Sequence, residues 1–452
     1  MTGRQSSWHE DRCTYCGLCF HLCPVLEMPL VEAQEEIRRL CRSGGGSVVL
    51  EKCNSCMSCN LFCPEGANPY NLVLERWNEL YLKRGAPPLY RFVCPTEEPN
   101  IWQLINLFLS PEERRWVDAW MDYTPGENDT ILLIGNYTHL FPFIIGGSSL
   151  LKHFKPVDPI DQWEGGAYLY QGGYLDVVQR IARRTRDDFT RWNVRDIVIL
   201  TDAVHYLLTE VHPREMGVSH EARCISFHRW AAEKIETGEL ALPAAPLGIS
   251  VAVHDNCYSK VLGGAYWDDP RCILEKCGCN VVEMKHNRAD SLCCGFGAGA
   301  SWVRNMSIPF DIIREGVKKF REAEETGAGA MVSYCSGCIY LLWATRELMG
   351  SSIDVYHSVE ILRMAMGEKI PYPQAHIERA WDVIAIITYQ LLCSLFQRNF
   401  FISSITYDTE RSTFIPRGRG LLGLIRRALG IPLVRRVYAG IFRTLMPFIT
   451  TR

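Results

Sequence analysis

Three short stretches decide how the chain reads: His254-Asp255-Asn256-Cys257, Cys293-Cys294-Gly295 and Cys335-Ser336-Gly337-Cys338. Each lies beside an apolar run or a glycine-rich turn, and together they supply five cysteines in three groups. Thiolates hold iron-sulfur groups and zinc, and adjacent or x-x-spaced cysteines bring two sulfurs to one site without a long loop to close. Five soft ligands exceed the four that zinc takes. The competing reading is a set of buried or disulfide-bonded cysteines.

Working outward towards the N-terminus, Cys13-x2-Cys16-x2-Cys19-x3-Cys23-Pro24 is repeated as Cys53-x2-Cys56-x2-Cys59-x3-Cys63-Pro64. In this spacing three thiolates close on one cubane and the fourth reaches across to the other. One [4Fe-4S] cluster is therefore expected on Cys13, Cys16, Cys19 and Cys63, and a second on Cys53, Cys56, Cys59 and Cys23. Zinc in each run is the alternative. Leu30 to Leu40 carries apolar residues at helical spacing and ends at Ser43-Gly44-Gly45-Gly46, and Tyr70 to Leu82 reads as a helix stopped by Gly85, Pro87 and Pro88. The spacing thus predicts an α-helical dicluster ferredoxin domain over residues 1–100, then a helical linker at 101–129 rich in Trp, Leu and Phe. Cys94, before Pro95, reads as structural.

Composition bounds the rest. The 452 residues suffice for about three domains of roughly 150 residues. With 48 basic and 51 acidic residues, a net charge of -3, nothing points to nucleic-acid binding, which needs a concentrated basic face. Twenty cysteines behind an N-terminus with no apolar leader predict a reducing compartment and metal ligation rather than a secreted disulfide scaffold.

From Ile131-Leu132-Leu133-Ile134-Gly135 the pattern alternates between short β-rich runs, such as Asp196 to Leu200, and amphipathic helices, such as Asp176 to Arg184. Overlaying this half on the next exposes an internal repeat. Ile131 to Tyr137 falls on Val251 to Cys257, Gln171-Gly172-Gly173 on Cys293-Cys294-Gly295, Thr201 to Leu208 on Cys335 to Leu342, and Phe227-His228 on Tyr356-His357. Tyr137, Gln171, Gly172, Thr201 and Val204 then stand where the second copy has thiolates, so the first copy (130–245) is expected to hold no cluster and the second (246–370) to hold one. The persistence of a glycine at the turn suggests that its backbone still serves the fold. His139 and His205 sit near the emptied site, where they read either as satisfied histidines or as ligands to something a partner holds. Cys224, Cys272, Cys277 and Cys279 lie outside the repeat. Gly295-Phe296-Gly297-Ala298-Gly299 lacks a strand-turn-helix setting and reads as slack around a bulky group, not as a dinucleotide loop.

The tail, 371–452, changes character. Trp381 to Phe396 is nearly all apolar but shorter than the roughly 20 residues of a spanning helix. After Glu410 there is no acid, while Arg417, Arg419, Arg426, Arg427, Arg435, Arg436 and Arg443 interleave with Leu421, Leu424, Ile425, Leu429, Val434, Ile441, Phe442 and Leu445, divided by Pro416, Pro432 and Pro447. Such segments lie in the headgroup plane of an anionic membrane or dock on a partner subunit.

The order C, then CCG, then CxxC behind paired ferredoxin runs resembles the CCG-domain iron-sulfur proteins typified by heterodisulfide reductase, in the fused ferredoxin-plus-CCG form. Relatives in that group include the C subunit of anaerobic glycerol-3-phosphate dehydrogenase. The chain departs from the family's usual two CCG domains in keeping the cysteines of only one. The resemblance implies an α+β multidomain protein: the ferredoxin domain, two pseudo-symmetric α/β CCG domains with the first degenerate, and an amphipathic helical tail. It implies an atypical, noncubane iron-sulfur cluster on Cys257, Cys293, Cys294, Cys335 and Cys338. It also implies an oxidoreductase subunit that works in a complex, peripheral on the cytoplasmic side of the cell membrane. Electrons would pass between a quinol, haem or flavin partner and a small or protein-borne thiol/disulfide. The alternative is a non-catalytic relay and anchoring subunit of a flavoprotein dehydrogenase of glycerol-3-phosphate or 2-hydroxy acid type. Disulfide reduction consumes protons, and His254 and Asp255 are the nearest titratable candidates in sequence.

Overall fold

A computed structural model describes residues 4–43, 45–85, 100–126, 129–159, 164–242, 245–300, 307–395 and 419–449. Cys94, Arg417 and the end of the 381–396 apolar run lie outside the described residues.

The N-terminal part is helical wherever it is described as regular structure. In the helix Leu30–Arg42, Ala33, Ile37 and Leu40 fall on one buried stripe. Glu36 on the same helix is buried and accepts hydrogen bonds from Ser47 Oγ (2.7 Å) and Val48 N (3.1 Å), which pins the second cysteine run onto the first. The long helix Pro69–Arg84 completes the layer: Trp77 is fully buried and donates its indole N–H to Leu50 O at 3.1 Å. Two linker helices follow, Ile101–Asn106 and Pro111–Asp122. Both begin with reciprocal capping boxes, Asn100 with Gln103 and Ser110 with Glu113.

Two four-stranded parallel sheets form the rest of the core. The first has strands β1 (Ile131–Leu133), β2 (Lys155–Val157), β3 (Asp196–Ile199) and β4 (Arg223–Ser226) in the order β2-β1-β3-β4. The second has β5 (Ser250–His254), β6 (Asn280–Val282), β7 (Ala330–Ser333) and β8 (Asp354–His357) in the order β6-β5-β7-β8. Strand order, direction and the alternating helices coincide, so the repeat read from sequence is a repeat of topology. The central strands are apolar on both faces, as parallel strands covered by helices require. Register corrects one pairing of the overlay: β4 ends at Ser226 where β8 ends at His357, so Ser226, not Phe227-His228, takes the place of His357. The turn glycines behave alike in both units. Gly173 (φ 78°) and Gly295 (φ 92°) are left-handed, and a Cβ on either would come within 2.7 Å of a backbone oxygen, Leu74 O or Ile312 O.

The C-terminal helices Gln374–Leu395, Arg419–Leu429 and Pro432–Ile449 pack on the second unit. Arg426 pairs with Asp382 (2.6 Å) and lies over the Phe108 ring, and Phe442 stacks on Phe310 at 4.4 Å between centroids. The tail therefore docks on its own chain along one side, which the reading of a tail held by lipid or a partner alone did not foresee. Its other side leaves Leu433, Val437, Ile441 and Phe448 exposed along one face of the last helix. Among the described residues, no helix is long and apolar enough to cross a membrane.

Candidate functional site

Five cysteines from three loops of the second unit converge. Cys257 opens the helix Cys257–Leu262, whose first turn is capped by Asn256 Oδ1 accepting from Tyr258 N and Ser259 N, both at 3.0 Å. Cys293 and Cys294 precede the Gly295 turn, and Cys335 and Cys338 flank the N-terminus of the helix Ser336–Met349. Two helix N-termini thus face the sulfurs, the end of the helix that favours negative charge. Cys257 Sγ lies 3.7 Å from Cys293 Sγ; Cys294 interacts with both Cys293 and Cys338, and Cys338 with Cys335. None of the five is in a disulfide.

Cys293 is the thiol whose ionisation its neighbours favour. Hydrogen bonds from Cys257, Cys294 and Gly295 N (3.2 Å) hold it well below the usual thiol range, while the same sharing pushes Cys257, Cys294 and Cys338 up. The cysteines line a partly open cavity. His254 is fully buried, neither ring nitrogen has a hydrogen-bond partner, and its ring lies within 4.8 Å of the sulfurs of Cys294 and Cys338. An orphaned imidazole beside clustered thiols is costly without an electrophile to bind. The donor set fits a soft-metal iron-sulfur group.

The two residues read as acids behave differently from that reading. Burial lowers the His254 pKa to about 3, so its ring is neutral and is better suited to ligation or to orienting sulfur than to giving up a proton. Asp255 is braced. It accepts both arms of Arg271 (2.8 and 2.9 Å), Tyr334 OH (2.6 Å) and Arg288 N (2.7 Å). Burial raises its pKa, and these partners outweigh burial and leave it below the ordinary range, an ionised carboxylate that ties β5 to the loop carrying Cys293.

In the helical part, the thiols of Cys13, Cys16, Cys19 and Cys63 line one cavity. Cys19 is pushed up first by burial and then by Cys63, Cys13 and Cys16; Cys59 is pushed up by burial and then by Cys53, Cys19, Cys56 and Cys23. The structure thus brings together the crossed quartets, each including one cysteine of the other run, with Cys19 and Cys59 adjoining. Cys41, which the spacing does not single out, lies beside Cys13.

The helical part and the second unit meet at the sulfurs. Cys56, Cys257 and Cys293 form one buried cluster, and Lys260 Nζ donates to Ser58 Oγ at 2.8 Å. Gly297 lies against Asn54: a Cβ there would sit 2.1 Å from Asn54 O, a close approach that accounts for the glycine. The first unit is tied in as well, since Ser55 Oγ donates to Gln171 O (2.7 Å).

Three of the five emptied positions of the first unit also face this place, whereas Gly172 and Val204 do not, Val204 packing instead with Ile197 and Leu208. Tyr137, Gln171 and Thr201 line the same cavity as the five cysteines, joined by Glu164, and Tyr137 stacks on Tyr340 at 6.0 Å. Glu164 and Lys260 carry no motif, and nothing in their sequence neighbourhood marks them. His139 pairs with Asp158, and His205 is hydrogen-bonded to Tyr266 OH at 3.0 Å; neither lines the cavity. Cys224, Cys272, Cys277 and Cys279 also lie away from it.

Residues 251–342 match the cysteine-rich CCG domain and residues 7–26 the 4Fe-4S binding domain. The chain is 24% identical over 390 residues to the B subunit of fumarate reductase (CoM/CoB) from Methanothermobacter marburgensis, covering 79% of this chain and 72% of that protein. It is 31% identical over 319 residues to a probable membrane-anchored ferredoxin of Chromohalobacter salexigens (65% and 44%), and 25% identical over 154 residues to the EtfAB:quinone oxidoreductase of Syntrophomonas wolfei (34% and 19%). The chain thus spans less than half the length of the latter two. Its relatives are iron-sulfur oxidoreductases of heterodisulfide reductase-like kind.

Proposed function

We propose that this chain, which carries a 4Fe-4S binding domain and a CCG domain and whose relatives are iron-sulfur oxidoreductases, belongs to a redox complex in which it exchanges electrons between a quinol, haem or flavin partner and a thiol/disulfide bound at the CCG cavity. The observation that carries this reading is the shared burial of Cys56 with Cys257 and Cys293, which joins the second ferredoxin quartet to the five-cysteine site with no intervening layer. When loaded, the three sites would supply one-electron carriers ending at a sulfur-binding metal group. Cys13, Cys16, Cys19 and Cys63 would hold the first, Cys53, Cys56, Cys59 and Cys23 the second, and Cys257, Cys293, Cys294, Cys335 and Cys338 the third, with His254 beside it. The largely apolar walls lower the local polarity at the sulfurs, Asp255 and Arg271 fix the Cys293 loop, and Lys260 provides positive charge near Cys293. The exposed apolar face of the last helix, flanked by arginines, supports peripheral attachment to the cytoplasmic face of a membrane, in keeping with a relative named as a membrane-anchored ferredoxin.

The name of the quinone-oxidoreductase relative favours a second reading, in which the CCG site is only a relay to a flavoprotein's partner. Replacing Cys294 and Cys338 by serine separates the two. Iron should fall from roughly 12 to roughly 8 atoms per chain. A dithiol added to oxidised wild-type protein should change its paramagnetic spectrum, and the variants should lack that change. A wild-type spectrum indifferent to small dithiols and to two-cysteine carrier proteins refutes the thiol/disulfide reading and leaves a relay.

A further inference from the structure

Disulfide reduction breaks one S–S bond and makes two S–H bonds: R–S–S–R′ takes up two electrons, supplied singly by the redox partner, and two protons, giving R–SH and R′–SH. The electrons have an evident source in such a complex; the protons need one at the sulfurs, in a cavity whose lining is largely apolar. Asp255 has its oxygens taken by Arg271, Tyr334 and the Arg288 N–H, and the His254 ring sits among the sulfurs as a candidate ligand, so the proton source lies elsewhere.

We propose that Glu164, contributed by the first unit, which has none of the five cysteines, is the proton donor of the CCG cavity. This rests on the thiol/disulfide reading above. Glu164 lines the cavity with the five cysteines yet belongs to none of their loops. Its backbone is left-handed (φ 55°), as are those of Gly165 (64°) and Gly166 (88°) after it, an unusual conformation for a residue with a Cβ. Strain of this kind concentrates where a side chain must be aimed. The aim is fixed by Tyr137 N, which donates to Glu164 Oε1 at 2.8 Å, and by Gly135, where a Cβ would come within 3.0 Å of the same oxygen. The carboxyl is thus held at the end of β1, against Gly135 and Tyr137 N.

Its surroundings suit the protonated form. Burial raises the pKa to about 8, the Tyr137 N–H opposes this, and Asp158 adds to it. The other titratable groups around it are Tyr137, Tyr168, Tyr258 and Tyr340, His212 on the carbonyl of the next residue, Gly165, and, across the cavity, the thiols. Near neutral pH the group holds a proton it can release to a departing thiolate and recover afterwards.

The test compares full-length, cluster-loaded wild type with Glu164→Gln, which keeps the acceptor for Tyr137 N, and with Glu164→Asp, which keeps the acid. Reduced-minus-oxidised infrared spectra should show a carboxylic C=O band in wild type that is absent in the Gln variant. With reduced methyl viologen and bis(2-hydroxyethyl) disulfide, kcat of the Gln variant should fall about 10²-fold or more with KM little changed, and the Asp variant should recover part of it. Wild-type kcat should decline as pH rises through about 8, and the Gln variant should lack that limb. A Gln variant with the wild-type band or the wild-type pH profile overturns the proposal. A wild-type protein that shows the band but reduces no disulfide refutes the thiol/disulfide reading instead, and leaves Glu164 as a redox-linked proton site.

Discussion

Gly297→Ala is the smallest change that tests whether the ferredoxin quartets and the CCG site form one redox unit. A Cβ at this position would lie 2.1 Å from Asn54 O, 2.8 Å from Asn54 C and 2.8 Å from Ser55 Cβ. Ordinary contact begins at 3.4 Å. The methyl group thus demands a retreat of roughly 1.3 Å, and because the obstacle is backbone rather than a side-chain tip, the whole junction must part; overpacking of this kind costs about 1–3 kcal/mol. The residues displaced are the two that precede Cys56, whose sulfur shares its burial with Cys257 and Cys293. Denaturant unfolding of the anaerobic, iron-loaded protein should show a lower midpoint with unchanged iron content, and stopped-flow reduction should show the ferredoxin sites filling at the wild-type rate while the CCG site fills more slowly. Gly423→Ala serves as the control: it lies in the helix Arg419–Leu429 with nothing within 4 Å of an added Cβ, and should be stabilising by roughly 0.5–1 kcal/mol. If Gly297→Ala unfolds at the wild-type midpoint and passes electrons between the sites at the wild-type rate, the two parts are not in the contact argued above.

Asp202 is buried, accepts Asn256 Nδ2 at 2.8 Å, and burial raises its pKa from 3.8 to about 7. A raised carboxyl pKa stabilises the fold fully below the unfolded value near 4 and loses that contribution as pH climbs to about 7. Asp202→Asn should therefore gain stability relative to wild type across that window, measured by unfolding at a series of pH values; a constant difference from pH 4 to pH 8 would refute the assignment. Val437→Glu combined with Ile441→Glu should abolish sedimentation with anionic phosphatidylglycerol vesicles while leaving iron content and unfolding unchanged, since both side chains are more than half exposed. Undiminished vesicle binding would show that this face is not the attachment surface.

The metal-binding pattern is legible in sequence because it depends on local spacing. Cys-x2-Cys-x2-Cys-x3-Cys-Pro dictates which sulfurs lie on one turn, and the CCG and CxxC groups sit at loop ends that any parallel α/β unit presents on the same edge. The repeat is legible for the same reason: Ile131 and Val251, or Thr201 and Cys335, occupy equivalent strand ends. Where cysteine no longer anchors the overlay, it slips, as at Phe227, two residues out of step with β8. Glu164 is invisible because its role arises from the packing of one unit on the other, and the sequence has no periodicity that reports such a meeting. Asp255 misleads for the converse reason. Adjacency to Cys257 suggests chemistry, but Arg271, sixteen positions away, claims both its oxygens. The tail's arginines read as lipid contacts, whereas Arg426 turns inward to Asp382, a partner 44 residues earlier in the chain.

The first unit lines the cavity without holding any of the five sulfurs, and this division of labour has an evolutionary corollary. A wall with no ligand duty is free to drift. Substitutions at Tyr137, Gln171 and Thr201 can reshape what fits against the sulfurs, while Cys257, Cys293, Cys294, Cys335 and Cys338, if they hold a metal group as proposed, stay fixed by its chemistry. Across homologues the two halves should accordingly diverge at unequal speeds, the first tracking the identity of the molecule admitted and the second tracking only the metal. Losing a set of ligands would then have left the ancestral duplicate a surface on which selection could write specificity.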